Sequence, residues 1–212
     1  MNKKVRLQSK DIVIACRRLD HLGFVAATDG NVSVRLDDGR ILITPSMLAK
    51  GEIKESQLLV CNMEGKVLAG KGKASSEIKM HLYAYRLRPD INAVVHAHPP
   101  VATGFATAGK VLTEPTLPEV ILTVGPVPLA RYATPSTDEV PGSIAPYVKK
   151  HNAMLLSNHG VLALGKDVTE ALHRMERVEH LAKVTLVAEQ LGGPKKLSKK
   201  ELKTLLDTFN II

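Results

Sequence analysis

A chain of 212 residues that is 44% apolar, 24% charged and 3% aromatic, with two cysteines, has the makings of one globular domain that buries its core without disulfides. Its net charge of +8 sits at the ends: residues 1–10 contribute +4 and residues 195–212 contribute +3, leaving +1 for the body. That distribution describes a basic N-terminal arm (1–10) and a basic C-terminal tail (195–212), and it disfavours a broad basic face for duplex DNA, as the scarcity of aromatic side chains disfavours base stacking.

Ser9 has the character of an N-cap, with Ile12, Val13, Cys16, Leu19 and Leu22 following at helical spacing and Gly23 as the stop. Residues 31–36 and 41–44 flank Asp37-Asp-Gly39, the pattern of a hairpin, and residues 58–63 and 67–68 repeat it around Glu64-Gly65-Lys66. A helix is expected from Ser76 to Leu87, stopped before Pro89, then a strand over Ala93–His98 ending at Pro99-Pro100. A short Ala-rich helix over 101–109 precedes a Pro-rich stretch running to Thr137, which caps a helix ending near Lys150. Strands at 153–157 and 161–164 follow, then a long helix from Thr169 to Leu191 and a terminal one from Ser198 through Leu206. Frequent hairpins mixed irregularly with helices predict a single α/β domain spanning 1–212, its sheet mixed and largely antiparallel, flanked by helices.

Cys16 and Cys61 lie far apart among apolar neighbours, as buried free thiols do, which fits a reducing cytoplasm. The N-terminus passes from charged residues into a helical pattern without the shape of a signal peptide, and no stretch has the apolar length of a membrane span.

The residues with chemical potential fall into two groups. His96 and His98, at i and i+2 in an apolar strand, project from one face at a spacing that can close on one metal ion; by themselves they equally describe one buried and one surface histidine. His159, in Ser157-Asn-His-Gly160 after another apolar strand, is the candidate third ligand, and three neutral imidazoles leave an open coordination position. In the other group Ser75 and Ser76 precede Glu77 at a helix start, an arrangement that caps the helix and also suits an anion. Asp29-Gly-Asn-Val-Ser33 and Thr44-Pro-Ser46 are either turns or further walls of that pocket.

Gly30-Asn-Val-Ser33, Thr44-Pro-Ser46, Ser75-Ser-Glu77, Val94-Val-His-Ala-His98 and Asn158-His-Gly160, in this order, resemble the class II aldolase and adducin-head family over nearly the whole chain, to about Leu191. The resemblance implies that His96, His98 and His159 hold a divalent metal, usually zinc, with Glu77 as the acid/base beside it. It also implies that Gly30, Asn31, Ser46, Ser75 and Ser76, with the backbone of Met47, bind the phosphate of a sugar phosphate. Glu rather than Asp at position 77 resembles the aldolase branch more than the 4-epimerase branch, and the three histidines set the chain apart from the structural adducins. The implied reaction is retro-aldol cleavage of a ketose 1-phosphate, of the fuculose 1-phosphate type or a 5-deoxy or methylthio ribulose analogue, to dihydroxyacetone phosphate and an aldehyde. Epimerisation or decarboxylation is the alternative within the family, and a non-catalytic binding protein the alternative outside it. Burial would raise the pKa of Glu77, or the metal adjust it, toward operating pH.

Two positions depart from the pattern. Met47 stands where aldolases of the family have Gly, and the Tyr that a neighbouring subunit contributes to such sites falls near Leu117, with no Tyr close by. Glu119, Tyr132 and water are the alternative proton donors, and the tail offers Phe209 instead of a Tyr. His81, four after Glu77, reads as a packing or hydrogen-bonding residue, and His173 and His180 as surface or interface residues. The resemblance further implies a homotetramer with its active sites at subunit boundaries.

Overall fold

A computed structural model describes residues 3–210. Its elements in chain order are α1 (Lys3–His21), β1 (Asn31–Arg35), β2 (Ile41–Ile43), β3 (Leu59–Cys61), β4 (Val67–Ala69), α2 (Ile78–Leu87), β5 (Ala93–Ala97), α3 (Pro100–Thr107), α4 (Pro118–Thr123), β6 (Leu129–Ala130), α5 (Glu139–Val148), β7 (Ala153–Leu156), β8 (Gly160–Gly165), α6 (Val168–Gln190) and α7 (Lys199–Thr208). The strands form one sheet in the order β4-β3-β2-β1-β5-β8-β7-β6. Every pairing is antiparallel except β6 with β7. This is the single α/β domain with a mixed, largely antiparallel sheet that the hairpin-rich sequence calls for.

Alternation along the central strands splits the core in two. Val32 and Val34 of β1 and Ala93, Val95 and Ala97 of β5 pack with Ile12, Cys16 and Leu19 of α1 and Met175 and Val178 of α6. On the opposite face Val94 joins Met80, Tyr85, Ile144 and Met154 under α2 and α5. The parity that sends Val94 toward α2 sends His96 there too, and it does the same for Asn31 and Ser33 of β1, which pair with His96 and Val94. Polar side chains at core-facing positions are thereby aimed at the start and buried face of α2.

Several boundaries differ from expectation for identifiable reasons. Ser9 is not a cap: its hydroxyl donates to the Val5 carbonyl at 2.8 Å inside α1, and residues 3–10 of the basic arm form the first turns of that helix. α2 begins at Ile78, leaving Glu77 at its cap position with no side-chain cap; the Ser75 hydroxyl instead accepts from the Glu77 N–H at 3.3 Å. Asp138, and not Thr137, occupies the cap position of α5, although the Thr137 hydroxyl accepts from the Glu139 N–H. α6 begins at Val168, one residue before the expected start, and Asp167 caps it by accepting from the Glu170 N–H. Ser198 does cap α7, in a reciprocal box with Glu201. The C-terminal segment is docked: Leu197 N–H donates to the Pro115 carbonyl, and Lys196 pairs with Glu114 at 2.7 Å. The Pro-rich stretch holds α4 and the two-residue β6, neither apparent from its pattern. The 23-residue α6 also supplies Glu179, which is 1% exposed and accepts from the free N–H groups of Val101 and Ala102 at the start of α3. Among the described residues no helix is long and apolar enough to cross a membrane.

Candidate active site

Strand β5 runs out at Ala97, and its last turn of chain places His96 and His98 beside the tight β7–β8 connection that carries His159. The connection is tight because Asn158 adopts a left-handed conformation (φ 55°) and Gly160 has no side chain. A Cβ on Gly160 would stand 2.6 Å from both the Ala97 carbonyl oxygen and Cδ2 of His98. Gly30 plays the corresponding part before β1: its φ is +73°, and a Cβ there would meet Val25 at 2.6 Å and the His96 carbonyl at 3.0 Å.

The three imidazole rings sit 4.7–5.1 Å apart, centroid to centroid, and each offers a nitrogen within 4.8 Å of the others. His96 is fully buried, and its Nδ1 faces the Val161 carbonyl at 2.9 Å. His98 Nδ1 faces the Asp29 carboxylate at 3.4 Å. Both Nδ1 atoms therefore carry the ring proton, and both Nε2 atoms, 3.1 Å apart, present lone pairs to each other when the rings are neutral. Such a pair is relieved by a cation lying between them. The donor set suits a divalent ion of the zinc type, with the second partners that orient ligating histidines already in place.

Glu77 closes the group. Its Oε2 lies 3.1 Å from His96 Nε2 and its Oε1 3.2 Å from His159 Nε2. Burial disfavours the charge, but His96 and His159, with a hydrogen bond from Asn31, outweigh it and hold the carboxyl below the usual carboxylate range. This reverses the upward direction expected from burial alone. For His96 the cost of burial is likewise overcome, by the Glu77 carboxylate, and its pKa moves up. Burial and then the neighbouring His96 push His98 and His159 down to about 4.

The Asn31 amide is committed on both sides. Its Nδ2 donates to Glu77 Oε2 at 2.9 Å, and its Oδ1 lies 2.6 Å from His81 Nε2. His81 Nδ1 lies 2.7 Å from the Ser33 hydroxyl, which is 2.8 Å from the Tyr85 hydroxyl. His81, expected to pack or hydrogen-bond, does both, and it is the centre of a buried network that reaches Glu77.

Burial, with His96 adding to it, pushes His81 down to about 3 from an ordinary 6.5. Between those values the unfolded chain holds a proton there that the folded chain lacks, so this contribution is complete above about pH 6.5 and is lost at about 1.4 kcal/mol per pH unit as pH falls. In urea unfolding with chelator present, lowering the pH from 7 to 5 should therefore destabilise the wild type more than His81→Gln; parallel profiles would show that the proton linkage lies elsewhere.

Next to the imidazoles lies a cavity of about 210 Å³. Gly30, Asn31, Ser46, Met47, Ser75, Ser76, Glu77, His98 and His159 all line it, so the positions singled out in the sequence converge on one place, with His96 buried behind them. The bridge between Pro45 and Ala74 joins the serine loops. Met47 takes a left-handed backbone conformation (φ 60°), as a glycine would, and turns its side chain to solvent, 78% exposed. Lys50, which carried no sequence signal, lines the same pocket at 1% exposure, and its Nζ donates to the carbonyls of Thr28 (2.9 Å) and Leu48 (2.6 Å). Pro135 and Ser136 form the far wall. Glu119 lines a separate groove with His173 and His180, while Tyr132 and Phe209 are exposed. None of the three lines the cavity.

The model of the Class II Aldolase and Adducin N-terminal domain matches residues 10–186. The chain is 33% identical over 204 residues to a 5-deoxy-D-ribulose 1-phosphate aldolase of Bacillus thuringiensis serovar kurstaki, covering 95% of each chain. It is 31% identical to a 3-oxo-tetronate 4-phosphate decarboxylase of Haemophilus influenzae, covering 84% of this chain and 87% of that one. A solved L-fuculose 1-phosphate aldolase superposes with a TM-score of 0.89 at 31% identity, covering 99% of this chain and 98% of the other. The chain belongs to the class II aldolase and adducin family.

Proposed function

We propose that this protein is a metal-dependent aldolase that cleaves a ketose 1-phosphate to dihydroxyacetone phosphate and an aldehyde. The observation that carries the reading is the convergence of three imidazole nitrogens and the Glu77 carboxylate on the wall of a pocket with Ser46, Ser75 and Ser76. His96, His98 and His159 would hold zinc or another divalent ion. When bound there, the ion supplies positive charge to the enediolate that develops on the three-carbon fragment.

The remaining work belongs to the chain's own groups. Ser46, Ser75 and Ser76, with the backbone of Gly30 and Met47, anchor the phosphate so that the reacting carbons stay in place. One N–H of the Asn31 amide holds Glu77, and the second remains as a donor for the phosphate. Glu77 Oε2 is held by Asn31, whereas Oε1 is buried without a hydrogen-bond partner, so Oε1 is the atom suited to accept and return a proton on the three-carbon fragment. No tyrosine lines the pocket among the described residues. The base that takes the C4 hydroxyl proton as the aldehyde forms is therefore water or a group from a neighbouring subunit of the proposed homotetramer, while the proton that the enediolate gains at C3 comes from Glu77. The two buried free cysteines fit action in a reducing cytoplasm.

Metal-loaded protein should release dihydroxyacetone phosphate from fuculose 1-phosphate or 5-deoxyribulose 1-phosphate, and chelation should abolish the release. Similarity to the decarboxylase supports a second reading; carbon dioxide from a 3-oxo acid phosphate, without aldol cleavage, would establish it instead, and a C4 epimer would indicate epimerisation.

Lys50 provides a separate check on the phosphate assignment. A buried ammonium whose hydrogen bonds go to two carbonyls favours an anion in the adjoining cavity, and burial drives its pKa down against the pull of Cys16 and Asp29. Lys50→Met should raise KM for the sugar phosphate and the inhibition constant of inorganic phosphate by about tenfold, as expected for roughly 1.4 kcal/mol of lost binding, with kcat little changed. Unaltered phosphate inhibition would place the anion elsewhere.

A further inference from the structure

Resting on the assignment of Glu77 as the acid/base, we infer that His81 is a positioning residue: its Nε2–H fixes the Asn31 amide so that the amide donates to Glu77. The geometry admits one polarity. The Asn31 Nδ2 donates to Glu77 Oε2 at 2.9 Å, so the oxygen of that amide faces His81. An amide oxygen accepts only, so His81 Nε2, 2.6 Å away, carries the proton. In the neutral ring Nδ1 then accepts, so the Ser33 hydroxyl donates to it, and the Tyr85 hydroxyl donates to Ser33. Every proton from Tyr85 through Ser33, His81 and Asn31 points toward Glu77.

The hydrogen-bond chain is buried, and it meets the cavity only at Asn31. His81 and Ser33 are fully buried, Tyr85 is 1% exposed and Asn31 3%. A buried amide that lost its partner on one side could turn over, and its oxygen would then oppose the carboxylate. His81 prevents this by occupying the oxygen, and its ring is kept in place by Ser33 on β1 and by its own position on the buried face of α2. His81 touches none of the reacting atoms; its effect passes through Asn31.

The experiment uses metal-loaded protein with ¹⁵N-labelled histidine, His81→Gln serving to assign the resonance. The ring of His81 should be the Nε2–H form. His81→Leu, folded and with full metal content, should lower kcat by about 10- to 100-fold with KM within about threefold, because orientation of the base is lost while binding is kept. His81→Gln, whose amide N–H reaches the same place, should recover most of that loss. An Nδ1–H ring overturns the inference, as does a kcat within twofold of wild type in His81→Leu or an equal loss in both variants. If His81→Leu does not fold, the ring form and His81→Gln decide: an Nε2–H ring with near-wild-type kcat upholds it, and either failing overturns it. Wild type that cleaves neither ketose 1-phosphate overturns the aldolase reading by itself, whereas the donor chain is then judged on the ring form alone.

Discussion

Glu77→Gln should lower kcat by about 10³-fold while leaving KM within about threefold, the pattern of a lost proton transfer and not of lost binding. The substitution keeps shape and volume, and a glutamine oxygen can still accept from Asn31 Nδ2, now 2.9 Å from Oε2. The other side-chain terminus becomes an amide that cannot take a proton, at the position of Oε1, the oxygen without a hydrogen-bond partner. Fold and metal content should survive, because the three imidazoles are oriented by the Val161 carbonyl, Asp29 and the β7–β8 turn, independently of the carboxylate. Glu77→Asp is the complementary case: it keeps the charge but withdraws it by one methylene, and a misplacement of about 1 Å costs on the order of 10²-fold. Steady-state release of dihydroxyacetone phosphate, normalised to bound metal, measures both. Activity within tenfold of wild type in a fully metallated Glu77→Gln would remove Glu77 from the proton transfer.

Why the ligands could be found in the sequence and their supporting groups could not follows from how each is encoded. Val94-Val-His-Ala-His98 carries its geometry locally, since period-two alternation puts both imidazoles on one face, and Asn158-His-Gly160 marks a turn by residue type alone. The hairpins around Asp37-Asp-Gly39 and Glu64-Gly65-Lys66 are local in the same way. The Asn31–His81 contact joins residues 50 positions apart, and Ser33 meets Tyr85 across 52. The available signal was the placing of polar residues in apolar rhythm: Asn31 and Ser33 alternate with Val32 and Val34, and His81 and Tyr85 are four apart on the apolar face of α2. A buried face that carries matched polar residues on two elements implies a hydrogen-bonded seam between them. Lys50 offered nothing comparable, because its partners are backbone carbonyls, which every residue has. Ser9 misled in the opposite direction: serine suits a cap, yet Lys3, Lys4, Arg6, Leu7 and Gln8 are good helix formers that outweigh Val5 and carry the helix past it.

Gly160→Ala should destabilise the protein by about 3 kcal/mol, at the upper end of what overpacking costs, and weaken metal binding by tenfold or more. The added Cβ would lie 2.6 Å from the Ala97 carbonyl oxygen and 2.6 Å from Cδ2 of His98. The first neighbour is backbone in the middle of the sheet, where Ala97 pairs with Val161, and cannot move without disturbing that ladder. The second is the ring of a proposed ligand, so relief of the clash displaces His98 from His96, whose Nε2 atoms now stand 3.1 Å apart. Stability and metal affinity should therefore fall together, which distinguishes this variant from Glu77→Gln. Gly104→Ala is the control: that glycine lies within α3, and a Cβ there meets nothing within 4 Å. Helix propensity predicts a gain of about 0.5–1 kcal/mol at that site. Denaturant unfolding in chelator gives the two stabilities, and competition with a chromogenic chelator gives the affinities. Unchanged affinity in a folded Gly160→Ala would show that the His98 ring has room to adjust, and that the absence of a side chain at position 160 serves the turn alone.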